Sequence, residues 1–170
     1  MATLTAWKFE RPDGASLAVR RLKELHEEGL IVIEDAAIVE WPVGNKKPKT
    51  RTVDDMTGPR ALGGAFWGFL FGILFFVPII GLSVGAGVGA LSATLGHVGI
   101  DDKFIDEVKD KVTEGTSALF LMSSGGVQDR IRERFIGTNL ELIATNLGPD
   151  EEARLRDASA RTEGCSALVA

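Results

Sequence analysis

The hydrophobic and polar positions change period several times along this chain, and one long stretch has no polar face at all. Residues 3–10, TLTAWKFE, alternate with Thr5, Trp7 and Phe9 on one side, which predicts a strand. RPDGAS breaks it. Ala15, Ala18, Leu22 and Leu25 then recur at helical spacing beside Val19, and Gly29 supplies a stop. Residues 30–41, LIVIEDAAIVEW, are rich in β-branched residues and end before Pro42, so they predict a second strand. VGNKK is a turn signal, and PKTRTVDD predicts a polar edge strand that Pro48 and the lysines protect from edge-to-edge pairing.

Beyond residue 100 the periodic pattern resumes. Asp101 and Asp102 stand where a helix starts, because carboxylates complement the positive end of its dipole. Phe104, Val108 and Val112, with Ile105, form the buried stripe of that helix. ALFLMS (118–123) predicts a short apolar strand, Val127, Ile131 and Phe135 an amphipathic helix, and NLELIATNL (139–147) another strand. GPDEEARLRDAS opens a last helix, with Pro149 early and acids in its first turn. The order β-α-β-β then α-β-α-β-α predicts an α+β domain. The expected form is a ferredoxin-like antiparallel sheet with helices on one face, interrupted by an inserted apolar glycine-zipper helical hairpin.

That insertion is GGAFWGFLFGILFFVPIIGLSVGAGVGALSATLGHVG. Residues 61–100 contain no Asp, Glu, Lys or Arg, so all 19 basic and 24 acidic residues lie elsewhere. Pro78 splits the run into limbs 61–77 and 81–97, each roughly 25 Å long as a helix, which is near the lower limit for crossing a hydrocarbon core. Gly64, Gly68 and Gly72 repeat at spacing four in the first limb, and Gly81, Gly85 and Gly89 in the second. In water each helical glycine costs about 1 kcal/mol relative to alanine, whereas in a bilayer such a stripe becomes a packing face. The six glycines are therefore expected to be helix-packing residues of a homo-oligomer. Phe66, Phe69, Leu70, Ile73 and Leu74 lie on the other side of the first limb, facing lipid or a partner. Trp67, Arg60 and His97 are expected at the membrane interface, and the preceding Lys46, Lys47, Lys49 and Arg51 favour the cytoplasmic side.

Composition adds limits. The net charge is −5 without a basic stripe, so nucleic acid is not an expected partner. The single cysteine, Cys165, cannot make an internal disulfide. The start, MATLTAWKFERPDG, does not read as a signal peptide. The expected organisation is 1–59 and 101–160 as two parts of one α+β domain, 60–100 as a membrane-inserted hairpin, and 161–170 as a flexible tail.

Together with GTSALFLM, DAAIVEW and LGPDEEARLRDA, the apolar block and its continuation IDDKFIDEV resemble the bacterial family of uncharacterised membrane proteins called domain of unknown function twelve-sixty-nine. The resemblance runs from about Trp7 to Ala158. It implies a membrane-associated bacterial protein; with the basic flank, the expected location is the bacterial inner membrane, with the soluble parts in the cytoplasm. It implies no reaction and no site residues.

Gly85, Gly87 and Ala90 match a loose dinucleotide fingerprint, but no acid stands about 20 residues further on in a second strand. His26 reads as a surface residue at a helix end. His26, His97 and Cys165 share no metal-ligand spacing. Asp35 interrupts an apolar strand and reads as exposed on an open sheet face. The expected function is non-enzymatic: a membrane-embedded homo-oligomeric scaffold whose cytoplasmic domain recruits protein partners, with no catalytic, cofactor or metal residues. Its partners are membrane lipid, further copies of the chain and a cytoplasmic protein. Three alternatives stay open on the residues alone: a glycine-zipper pore lined by Ser83, Ser92 and Thr94, a soluble nucleotide-binding protein, and a soluble oligomer that buries the hairpins.

Overall fold

A computed structural model describes residues 2–53, 63–76, 100–124, 131, 133–135 and 140–145. The elements are β1 (Ala2–Phe9), α1 (Gly14–Glu27), β2 (Ile33–Glu40), β3 (Lys49–Thr52), α2 (Gly63–Phe71), a π-helical segment (Gly72–Phe76), α3 (Asp102–Lys111), β4 (Ser117–Ser124) and β5 (Leu140–Thr145). The sheet has five strands in the order β3-β2-β4-β1-β5, and every neighbouring pair is antiparallel. The chain is thus α+β, with β4 at the sheet's centre. The polar strand expected after the VGNKK turn is β3, at one edge, with Lys49, Thr50 and Arg51 exposed.

Helices cover both faces of this sheet, where one covered face was expected. β4 shows why. Leu119 and Leu121 point into a cluster with Trp7, Leu22, Ile38 and Phe135, whereas Ala118, Phe120 and Met122 point into another with Leu4, Trp67, Leu70 and Val108. Side chains alternate along a strand, so an uninterrupted apolar run needs apolar cover on both sides. α1 covers the first face. The second is covered by α2, inside the start of the neutral stretch, and by α3, just after it. Asp35, expected to be exposed, is only 1% exposed, and its Oδ1 accepts the Ala36 N–H at 2.9 Å. Beside it, the β2–β4 register slips between Ile33 and Asp35.

Local signals place the helices. Asp101 caps α3, its Oδ1 accepting the Phe104 N–H at 2.8 Å, and Phe104 and Val108 are buried as their spacing predicts. α1 is tied to the sheet at its start: Ala15 N–H donates to Ser117 Oγ at 2.9 Å, and that hydroxyl donates to Arg11 O at 2.6 Å. Gly14 permits this approach, because a Cβ there would lie 2.4 Å from Phe9 Cβ. Gly29, at φ +68°, ends the segment in the left-handed conformation. Ile131 and Phe135 are joined by the N–H···O bond of a helical turn, at 3.0 Å, and are buried beside α1. The expected helix from Pro149 and the tail 161–170 lie outside the described residues.

Candidate functional site

α2 and its π-helical continuation carry the first three glycines of the apolar block. Phe66, Trp67, Leu70, Phe71 and Leu74 are all buried against the sheet, and Phe69 and Ile73 are partly buried there. The face expected to meet lipid or a partner is therefore occupied by the chain's own sheet. Trp67 is 1% exposed. It stacks on Phe71 at 5.8 Å and meets Phe120 edge-on at 6.2 Å. This corrects the headgroup-level position expected for it. An indole beside an apolar sheet face gains more from filling an aromatic cluster than from a half-wet boundary. That burial leaves its Nε1–H without an acceptor. An unmet buried donor costs about 1–3 kcal/mol, so the ring packing outweighs a real penalty.

The glycines face the other way. Gly64 and Gly68 are exposed, Gly72 is half-buried, and a Cβ on any of the three would meet no atom of the described residues within 4 Å. Gly14 is a glycine because the fold leaves no room for more. Gly64, Gly68 and Gly72 have empty space beside them and no positive φ to justify them. Packing among the described residues does not ask for glycine at these positions. Along the helix edge, Gly64, Gly68 and Trp67 border an open groove of about 560 Å³, whose far wall is Thr50 and Arg51 of β3 and Lys23 of α1. A second concavity, of about 430 Å³, lies on the opposite face among Phe9, Leu17, Ala18 and Phe135.

No helix among the described residues is long and apolar enough to cross a membrane. α2 spans only about 13 Å. The other site residues expected from the sequence, Gly81, Gly85, Gly89, Arg60 and His97, lie outside the described residues, as does the loose fingerprint at Gly85, Gly87 and Ala90. His26 sits in the last turn of α1, as expected, with Nδ1 at 3.3 Å from the Ile31 carbonyl. Among the described residues no three His, Cys, Asp or Glu side chains gather as a metal ion would require. Sequence reasoning missed the role of Trp67 as the centre of the second core. The signal was available in β4, whose unbroken apolar run calls for large side chains on both sides.

No curated protein and no solved structure matches the chain. A family model does match, over residues 61–160, which includes α2, α3, β4 and β5. The chain belongs to the family described as Protein of unknown function (DUF1269).

Proposed function

We propose that this chain is a non-enzymatic, membrane-associated scaffold protein that assembles with copies of itself through the glycine face of α2. One observation carries the reading. Gly64 and Gly68 are exposed and Gly72 half-buried, and among the described residues nothing would meet a side chain at any of the three. Glycine in a helix is costly, and a row of three at spacing four is what another backbone needs for close approach. The sheet supports this role by holding α2 rigidly along its bulky side and leaving the glycine side outward. The further uncharged run, 77–99, is assigned to membrane engagement, since it offers no charged residue to water. The soluble part is read as a ferredoxin-like core facing the bacterial cytoplasm, available to protein partners. The order β2-β4-β1-β5 supports that reading, with α1 between β1 and β2, the Ile131–Phe135 turn between β4 and β5, and β3 as an added edge.

The test has two arms. Carbonate-washed membranes should retain the protein until detergent is added. In detergent, the wild type should sediment as an oligomer and Gly68→Leu as a monomer with unchanged circular dichroism. Recovery in the soluble fraction without detergent would refute membrane association. A monomeric wild type would refute assembly.

A further inference from the structure

The turn between β2 and β3 sits beside the point where the described apolar limb ends. In sequence, Lys46, Lys47 and Lys49 come well before that limb begins, and residue counting puts them at its start. The fold moves them to its far end. Trp41, at the close of β2, meets Phe75 edge-on, with ring centroids 6.1 Å apart. Phe75 is next to the last described residue of the limb, and the sequence then runs uncharged from Val77 to Ile100.

The turn itself is well fastened. Trp41 Nε1–H donates to Asn45 O at 2.7 Å, Asn45 N–H donates to Pro42 O at 3.2 Å, and Gly44 takes φ +89°. The Gly44 N–H donates to the Glu114 carboxylate, so the acid facing this turn is engaged with its backbone. Outward, the turn presents Val43, 78% exposed and the most exposed large hydrophobic side chain among the described residues. Lys46, Lys47 and Lys49 are exposed beside it. A protruding aliphatic tip ringed by lysines has the chemistry of an interfacial anchor: the apolar tip enters the headgroup layer and the ammonium groups meet lipid phosphates.

We infer that the β2–β3 turn is a docking surface for an anionic phospholipid bilayer, with Val43 dipping into the headgroup region and Lys46 and Lys49 contacting phosphate. The inference rests on the membrane reading above and adds the orientation of the soluble part. The sheet stands with its β2–β3 end toward the bilayer and the opposite end, where Val32 immediately precedes β2, away from it. Val32 is 58% exposed and lies about 25–30 Å along the strand from the turn, which makes it an internal control.

The test uses the full chain with Cys165→Ser and a single environment-sensitive fluorophore, placed at Val43→Cys or at Val32→Cys. The protein is reconstituted into phosphatidylcholine vesicles with or without roughly one-third phosphatidylglycerol, and the lipids carry headgroup quenchers. The label at position 43 should be quenched several-fold more than the label at 32 in the anionic vesicles. Lys46→Glu combined with Lys49→Glu should remove most of that difference, as should omission of phosphatidylglycerol. Flotation with the vesicles but equal quenching at 43 and 32 would overturn the inference alone, as would indifference to charge reversal. Failure to float with any vesicle would overturn the membrane reading and the inference together.

Discussion

α1 and α2 lie on opposite faces of one sheet, and each buries an apolar stripe against it. Their outer faces have little in common. α1 turns Arg20, Arg21, Glu24 and Glu27 to solvent, an ordinary water-facing surface. α2 turns out Gly64 and Gly68, followed by half-buried Gly72 at the start of the π-helical segment, with no charged group along its length. Their glycines differ too: a Cβ on Gly14 of α1 would collide with Phe9 Cβ, whereas one on Gly64 or Gly68 of α2 would meet no described atom within 4 Å. A helix that hides one face and leaves the other without water-binding groups is suited to a second contact. The comparison separates a glycine that the fold requires from glycines that packing among the described residues does not require.

The comparison breaks first if the inner face of α2 proves unimportant. Trp67→Ala should lower the free energy of unfolding by about 3–5 kcal/mol in denaturant titration, the usual cost of emptying an aromatic core site. Trp67→Phe should cost far less, since it keeps most of the ring packing and removes the unmet N–H. Gly14→Ala should destabilise by about 1–3 kcal/mol, because its new methyl has to displace Phe9 or the start of α1. Should Gly14→Ala prove harmless while Gly68→Ala unfolds the protein, the contrast between the two helices is reversed.

Smaller effects sharpen it. Gly68→Leu should raise the dissociation constant of the oligomer at least tenfold, about 1.4 kcal/mol, while leaving the thermal melt of the monomer in place. Asp101→Ala removes the cap of α3 and should cost about 1 kcal/mol, read from the shift in denaturant midpoint. Glu24→Gln, on the solvated side of α1, should change stability by less than about 0.5 kcal/mol and leave sedimentation untouched.

The periodic elements were legible because their burial follows local spacing. The Phe104–Val108 stripe, the Asp101 cap and the polar edge at Lys49–Thr52 all stand where the pattern puts them. The glycine spacing is read from the sequence; of its six residues, Gly64, Gly68 and Gly72 are described, and none has a described atom within 4 Å of an added Cβ. The destination of the bulky side of α2 was not legible. Phe66, Leu70 and Leu74 are equally suited to hydrocarbon chains and to a β-sheet, since both offer only apolar contact. Continuous burial along β2 and β4 settles the matter for the described residues, because Ala37, Phe120 and Met122 needed a cover. Asp35 was misjudged for the same reason: with one face assumed bare, an acid there looked solvated.

The sequence by itself determined the order of strands and helices, the caps and turns, the segregation of charge away from residues 61–100 and the glycine register, all of which depend on neighbours a few positions apart. Only the tertiary structure decided which side of α2 is spent on the sheet, that Trp67 lies in a core, and that the lysine-bearing turn stands beside Phe75. Those outcomes depend on which apolar surfaces are available to meet, and such surfaces come from strands far apart in the chain.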